Sequence, residues 1–299
     1  MNRPHDRPAH SLPLAPLVFA VNDDFALPLA TALQSLADCA PELMDRIDIR
    51  VLHDDLSTAA QDGLRRHADR LGTRLAFHRV EQPELAYNLE FGGTHAHYLR
   101  LQIAHTLREE SRVLYCDADV LFLASPEPLL RTGTGGLPVA AVRDPTNPRY
   151  RGGQAMPGWE QLGVDGDEEY FNSGVMLFDL EVCAREQLFE RAYAFIHEHP
   201  DSLRFWDQDA LNWAARHRWT PLERHWNTFP LSALFQTEWM FYTADDVVPR
   251  ATLIAEEPRA RILHYVSPAK PWKPGFPPGW ADDLYRSVLR RTLPVEAAG

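Results

Sequence analysis

Short apolar runs alternate with amphipathic stretches over the first 116 residues of the chain. The runs have the length of buried strands, and the stretches between them carry apolar residues at helical spacing. The predicted strands are residues 17–21, 47–52, 75–80 and 113–116. The predicted helices are residues 28–37, 57–71 and 94–107, with Ser57 and Thr94 as N-caps. This alternation predicts an α/β fold with a parallel, doubly wound sheet flanked by helices.

The pattern becomes less regular after Pro126. Residues 143–167 are rich in Pro, Gly and Asn and have little periodicity, which is typical of a functional loop. Beyond them, residues 171–180 are predicted to be extended, and residues 181–199 and 207–216 are predicted to be helical. No internal repeat or linker divides the chain. We therefore expect an extended or disordered tail, one domain, and a short C-terminal helix with its tail, over residues 1–16, 17–280 and 281–299.

Composition restricts the classes of partner and the compartment. The chain has 42 acidic and 30 basic residues, a net charge of −12, and no long basic run, so nucleic acid is not an expected partner. Its three cysteines are far apart and form no CxxC pair, which favours a reducing compartment. Residues 12–21 contain two prolines and lead directly into Asn22 without a cleavage pattern. We interpret them as a tail and a first strand, and predict a cytoplasmic location.

The sharpest chemical signal is the triplet Asp117-Ala118-Asp119. Apolar residues flank it on both sides, as in a strand that is interrupted by two carboxylates. Buried ionised carboxylates require a compensating cation, and a hard divalent ion such as Mn²⁺ or Mg²⁺ suits oxygen ligands. Such an ion can hold a diphosphate and offset the charge that develops when it leaves. The alternative is a solvent-facing turn with two incidental aspartates, which the flanking apolar residues disfavour.

Two further segments carry residues suited to the same chemistry. In HYVSPAKPW, a neutral imidazole at His264 would complete a metal shell, and Lys270 would bind phosphate as a point charge. In YFNSGVMLFD, Asn172 offers donor and acceptor groups to a sugar hydroxyl, and Gly174 indicates a bulge or a close backbone approach. The simpler alternatives are a core or surface histidine, a solvated lysine and a buried strand with a polar turn.

Two more segments have both a functional and a purely structural interpretation. Asp207 and Gln208 begin a predicted helix, where they either face a sugar or only cap the helix. Arg100, in YLRL, either holds a diphosphate or a sugar-binding carboxylate, or forms a structural salt bridge.

Taken in order, these segments resemble glycosyltransferase family 8, the retaining galactosyl- and glucosyltransferases. The resemblance covers residues 17–272 and rests on VFAVNDDF, YLRL, LYCDADVLFL, FNSGVMLFDL with DQDALN, and HYVSPAKPW. It implies a single GT-A type domain that moves a hexose from a UDP-sugar to a glycan or lipopolysaccharide-type acceptor hydroxyl, with Mn²⁺ as cofactor. Some relatives carry a basic, aromatic C-terminal tail. Residues 285–291 are a short version of it, which predicts at most peripheral contact with the inner membrane surface.

The resemblance also implies residue roles. The implied metal ligands are Asp117, Asp119 and His264. The implied nucleotide and diphosphate contacts are Ala20, Val21, Asn22, Asp23, Phe25, Asp117, Ala118, Asp119 and Lys270. The implied catalytic and donor-sugar residues are Gln208, Asp207, Asn172 and Arg100, with Gln208 nearest the reacting face of the anomeric carbon.

The nucleotide loop departs from the family pattern, in which an acidic run is followed by Tyr. Here Asn22 stands first and Phe25 takes the aromatic position, where it can stack on a base but offers no hydroxyl. Two other functions use related features. One is a non-catalytic sugar-nucleotide or glycan-binding module of the same fold, which the full set of candidate residues disfavours. The other is a metal-dependent nucleotidyltransferase or phosphohydrolase, although no Gly-rich phosphate loop is visible.

Overall fold

A seven-stranded sheet in the order β3-β2-β1-β4-β7-β6-β8 forms the centre of the protein. The computed structural model describes residues 12–81 and 95–292. The strands of this sheet are β1 Leu17–Ala20, β2 Ile49–His53, β3 Leu75–Arg79, β4 Arg112–Cys116, β6 Val139–Arg143, β7 Phe171–Asp179 and β8 Trp219–Pro221. A second sheet pairs two short strands, β5 Val120–Phe122 and β9 Ile262–His264.

Helices pack against both faces of the large sheet and around the small sheet. They are α1 Ala26–Cys39, α2 Thr58–Arg70, α3 Ile103–Thr106, α4 Glu127–Leu130, α5 Leu180–Glu186, α6 Leu188–Glu198, α7 Asp207–Ala215, α8 Leu231–Leu234, α9 Arg250–Glu256 and α10 Trp280–Leu289. Side chains of α1 and α2 pack against one face, and those of α6 and α7 pack against the other. A third apolar cluster packs α8, α9 and α10 around β5 and β9.

The predicted parallel sheet is confirmed for β1 to β4, since β1 pairs in parallel with β2 and β4, and β2 with β3. The expected sheet is mostly parallel, and strand β7 is its exception, because it runs antiparallel to both β4 and β6. Its register pairs Cys116 with Val175. The beginning of β7 therefore lies beside the carboxyl end of β4, where ligands bind in sheets of this type.

The small sheet did not follow from the sequence pattern. Strand β5 follows Asp119 directly, and its antiparallel register places Val120 opposite His264. Three-residue strands give too short a run for a periodicity argument, and their pairing depends on a partner far along the chain. Strands β6 and β8 were also missed, and β6 occupies residues that read as irregular chain.

Three other predictions need correction or qualification. Residues 95–102 form a 3₁₀ helix that leads into the short α3, in place of one long α-helix. Thr94, its predicted N-cap, lies outside the described residues. The predicted helix 181–199 is interrupted at Gln187, which has a left-handed backbone with φ 53°. By contrast, Ser57 caps α2 as predicted, because its side chain accepts a hydrogen bond from the Ala60 N–H.

The segments at either end of the described chain pack against the domain. The Ala15 N–H donates to the Leu130 carbonyl at 3.0 Å. In α10, Tyr285 is fully buried and its ring contacts Tyr265 and Trp272. The aromatic residue of the C-terminal segment is therefore part of a core. Among the described residues, none of the helices combines the length and apolar character that crossing a bilayer requires.

His67 on α2 gives the fold a defined response to acid. Its side chain is fully buried, and burial lowers its pKa to about 4. Between pH 6.5, the ordinary pKa of histidine, and this lower value, the unfolded chain binds a proton at His67 but the folded chain does not. The free energy of unfolding therefore falls as the pH is lowered through this range. We predict that His67→Gln removes roughly 3 kcal/mol of the loss in unfolding free energy between pH 7 and pH 4.

Urea unfolding at both pH values measures this effect. The exposed His105→Gln serves as the matched control and should leave the pH dependence unchanged. An identical pH dependence in the His67→Gln variant and the wild-type chain would contradict the assignment.

Candidate metal and sugar-nucleotide site

Asp117, Ala118 and Asp119 connect β4 to β5 at the centre of the site. Backbone hydrogen bonds hold this loop from two sides. The Asp117 N–H donates to the Gly174 carbonyl at 2.8 Å, and the Tyr265 N–H donates to the Asp119 carbonyl at 2.9 Å. Both carboxylates are therefore fixed to rigid strands, as a metal site requires.

The His264 ring lies next to both carboxylates. Its Nε2 atom is 3.2 Å from Asp119 Oδ1 and 3.5 Å from Asp117 Oδ2. One ligand atom from each of these three residues lies within 4.8 Å of the others. Two hard carboxylate oxygens and one imidazole nitrogen suit a divalent cation such as Mn²⁺, so the residues present fit the implied ion.

Gly174 makes room for the imidazole. A Cβ atom at this position would lie 2.1 Å from His264 Cε1 and 2.6 Å from Nδ1. Both distances are far shorter than any packing contact, so a side chain at position 174 and the observed ring position exclude each other. The predicted close backbone approach at this glycine is confirmed, and the group that approaches is a candidate metal ligand.

Lys270 lies between the two carboxylates and the aromatic ring of Trp272. Its Nζ atom is 2.5 Å from Asp119 Oδ2 and donates to the Tyr265 carbonyl at 2.6 Å. Burial favours a neutral acid at Asp119, but the adjacent charge of Lys270 opposes it, and the pKa of Asp119 lies below its usual range. The Lys270 ammonium also lies 5.6 Å from the centre of the Trp272 ring.

The predicted nucleotide loop, residues 20–25, lies beside Trp272. The Phe25 ring packs edge-on against Trp272, with 5.9 Å between ring centres. Asp23 accepts a hydrogen bond from the Ser57 N–H at 2.8 Å, so one of its oxygens supports the loop that begins α2. Within the described chain, Asn22 Oδ1 and Trp272 Nε1 are buried without a hydrogen-bond partner. Buried polar atoms of this kind are expected where a ligand supplies the missing partner.

Arg100 lies between two carboxylates. Its Nη2 atom is 2.9 Å from Asp117 Oδ1, and its Nε atom is 3.1 Å from Asp207 Oδ2. Burial disfavours the charged guanidinium, but the two carboxylates outweigh it and raise the pKa of Arg100. Burial also raises the pKa of Asp207 to about 7, against the opposing charge of Arg100. Arg100 therefore links the metal end of the site to the start of α7.

Gln208, one residue further along α7, is part of a buried network of amides. Its Oε1 atom accepts from Asn172 Nδ2 at 2.8 Å and from the Ser173 N–H at 3.0 Å. Its Nε2 atom donates to Asp144 Oδ2 at 3.3 Å, and Asn172 Nδ2 donates to the same oxygen at 3.2 Å. With so many partners, the side chain of Gln208 is held in one orientation.

Two other residues of the same motif anchor α7 to the sheet. The side-chain amide of Asn212 accepts from the Phe171 N–H and donates to the Phe171 carbonyl, both at 2.9 Å. Asp209 accepts from the backbone N–H groups of Phe205 and Met156. The Asp209 side chain therefore holds the chain that precedes α7, whereas the Asp207 side chain forms an ion pair with Arg100.

The candidate residues from separate motifs thus meet at one edge of the sheet. Asp117, Asp119, His264, Lys270 and Arg100 are in direct contact, and Arg100 connects them to Asp207. Two residues of the buried network were missed by the sequence reasoning. Asp144 lies in a segment interpreted only as a loop. Asn227, whose Nδ2 atom donates to Asn172 Oδ1 at 2.8 Å, belongs to no motif, so neither residue gave a local signal.

Comparison with known proteins decides the family. A family model described as glycosyl transferase family 8 matches residues 16–274. This chain belongs to that family. The resemblance drawn from the five motifs is thereby confirmed.

Relatives of the family are similar over part of their length. General stress protein A of Bacillus subtilis is 30% identical over 196 residues, which is 64% of either chain. The lipopolysaccharide glucosyltransferase WaaO of Escherichia coli is 30% identical over 194 residues, 60% of this chain and 49% of that protein. The chain therefore matches 64% and 49% of the length of these two relatives.

Solved structures extend the similarity to nearly the whole chain. Galactosyltransferase LgtC, solved in complex with donor and acceptor sugar analogues, is 25% identical with a TM-score of 0.76, covering 94% of this chain and 97% of that one. The bifunctional glycosyltransferase WbbM has a TM-score of 0.73 at 19% identity and covers 98% of this chain and 51% of that one. These likenesses confirm the predicted GT-A type fold. The family model and the fold therefore agree.

The contact between Gly174 and His264 gives a direct test of the site geometry. We predict that Gly174→Ala displaces the imidazole and weakens Mn²⁺ binding in the presence of UDP at least about tenfold, because one ligand leaves the position it shares with both aspartates. Calorimetric titration measures the affinity. Gly133→Ala is a matched control, since its Cβ would meet only Leu12 Cδ1 at 3.6 Å. Equal affinities in the Gly174→Ala and Gly133→Ala variants would contradict the geometry.

Proposed function

We propose that this chain is a retaining, Mn²⁺-dependent glycosyltransferase that moves galactose or glucose from a UDP-sugar to a glycan or lipopolysaccharide-type acceptor hydroxyl. The observation that carries the proposal is the approach of His264 Nε2 to Asp117 and Asp119 within 3.5 Å, directly beside Arg100. Names of relatives add support, because LgtC is a galactosyltransferase and WaaO a lipopolysaccharide glucosyltransferase. We propose a cytoplasmic location, with at most peripheral contact with the membrane.

Asp117, Asp119 and His264 would hold the metal ion, with Mg²⁺ as the alternative to Mn²⁺. When bound, the ion supplies positive charge that stabilises the departing UDP diphosphate. Lys270 contributes a second positive charge on the same side, close enough to Asp119 to reach a phosphate held there. Ala118 lies between the two ligands and has a buried side chain.

Residues 20–25 and Trp272 would bind the nucleotide. Phe25 would stack on the base, and the buried Asn22 Oδ1 would accept a hydrogen bond from it, which accounts for an oxygen that otherwise lacks a partner. Val21 is fully buried and supports the loop from the end of β1. Asp23 would use the carboxylate oxygen that is not engaged by Ser57.

Arg100, Asp207, Asn172 and Gln208 would surround the donor sugar. Asp207 and Asn172 offer hydrogen-bonding atoms to hydroxyl groups, and Arg100 keeps Asp207 in position through an ion pair. Gln208 Oε1 carries partial negative charge at a fixed point, because Asn172 and Ser173 hold it there. Such an oxygen stabilises the positive charge that develops at an anomeric carbon.

Release of UDP from a series of UDP-hexoses tests the proposal. With Mn²⁺ present and a glycan acceptor supplied, we expect UDP release together with an elongated acceptor of retained anomeric configuration, and EDTA should abolish both. A binding module of the same fold would bind UDP-sugar without turnover. Release of hexose 1-phosphate, with the uridylyl group passed to an acceptor, would indicate nucleotidyl transfer and would overturn the proposal.

The variant Asp119→Ala tests the proposed metal site. It removes one ligand and the partner of Lys270, so we predict loss of Mn²⁺-dependent UDP binding while the far-UV circular dichroism spectrum is retained. Calorimetry with and without Mn²⁺ measures this loss. An unchanged affinity for UDP in the presence of Mn²⁺ would remove Asp119 from the site.

The variant Gln208→Ala tests the proposed role of Gln208 toward the donor sugar. Because the proposed contact strengthens only as positive charge develops, we predict a fall in kcat of about 100-fold with donor affinity close to normal. Steady-state kinetics combined with calorimetry of the UDP-sugar separates the two quantities. A large loss of affinity with unchanged kcat would contradict this role.

A further inference from the structure

A buried asparagine outside every sequence motif joins the two halves of the site. Asn227 is fully buried, and its Oδ1 atom lies 2.9 Å from His264 Nδ1. Its Nδ2 atom donates to Asn172 Oδ1 at 2.8 Å. Since Asn172 is bonded to Gln208, one chain of hydrogen bonds runs from the candidate metal ligand to the candidate catalytic glutamine.

Groups that can only donate or only accept determine the direction of each hydrogen bond in this series. The Gly174 N–H can only donate, and it donates to Asn172 Oδ1 at 2.9 Å. The Asn172 amide is thereby oriented, and its Nδ2 points to the oxygens of Asp144 and Gln208. Asn227 must then approach Asn172 Oδ1 with its own Nδ2, which turns its Oδ1 toward His264.

An oxygen at this position selects one form of the imidazole. Asn227 Oδ1 only accepts, so His264 Nδ1 carries the proton and donates it. In the neutral ring Nε2, which lies 3.5 Å from Asp117 and 3.2 Å from Asp119, is then the nitrogen left to bind a metal ion. Partners of this kind beyond the ligands themselves commonly determine the orientation and basicity of a ligating histidine.

We propose that Asn227 is a positioning residue that holds His264 in its Nδ1–H form for metal binding and, through Asn172, aligns Gln208 with the metal. The inference rests on the proposed metal-dependent transfer and assigns a role to a residue outside the five motifs. It also accounts for the burial of a fully polar side chain, since both ends of the Asn227 amide have partners.

The first experiment uses the wild-type chain. Histidine nitrogen chemical shifts measured by NMR with UDP and the diamagnetic ion Mg²⁺ report which ring nitrogen of His264 carries a proton. We expect the proton on Nδ1, with Nε2 free of one. A proton on Nε2 would overturn the inference. If calorimetry shows that the wild-type chain binds neither Mn²⁺ nor Mg²⁺ in the presence of UDP, the proposed function fails along with this inference.

Two variants separate the two ends of the amide. Asn227→Leu removes both hydrogen bonds, and we predict roughly 10- to 100-fold weaker Mn²⁺ binding. Asn227→Asp keeps an acceptor for His264 but turns a second oxygen toward Asn172 Oδ1. It should keep Mn²⁺ affinity within about threefold of wild type while kcat falls about tenfold or more, because Gln208 loses alignment.

Thr228→Val is the matched control, since Thr228 is the next residue, is similarly buried, and directs its hydroxyl away from the site to the Arg224 carbonyl. It should leave Mn²⁺ affinity within about threefold of wild type. Wild-type Mn²⁺ affinity in Asn227→Leu would overturn the role of Asn227 toward His264. Equal weakening of Mn²⁺ binding in Asn227→Leu and Asn227→Asp would overturn it too, because the retained acceptor would then make no difference.

Discussion

The electrostatic problem of Asp117 and Asp119 governs this structure. Two carboxylates stand between the buried apolar residues that end β4 and those that form β5, and each must be balanced to remain ionised. Arg100 balances Asp117, and Lys270 with His264 balances Asp119. The three positive or polar partners come from distant parts of the chain. The site therefore exists only when the sheet, the 3₁₀ segment and the C-terminal strand have assembled around it.

Two antiparallel strands make this assembly possible. Strand β7 brings Asn172 and Gly174 alongside the end of β4, and strand β9 brings His264 alongside β5. The ring of His264 then fits only because Gly174 has no side chain. The proposed metal ligation and the strand packing are in this way parts of one geometric constraint, and a change at either strand affects both.

The proposed metal ligands and the proposed sugar-binding residues are connected by two routes. Arg100 bridges Asp117 and Asp207 through charge, and the amides of Asn227 and Asn172 bridge His264 and Gln208 through directed hydrogen bonds. Buried networks of this kind hold their members in one arrangement because an unsatisfied amide is costly. A cation and a donor sugar bound here would meet groups that are already oriented.

The sequence by itself determined the parallel half of the sheet, the family and the residue types of the site, because short apolar runs, helical periods and motif order are local properties of the chain. It did not determine the two-stranded β5–β9 sheet, the direction of β7 or the network through Asp144 and Asn227. Those depend on which strand pairs with which and on the space left beside Gly174. Only the tertiary structure decides such contacts, since hydrogen bonding and steric exclusion act between residues that no sequence period relates.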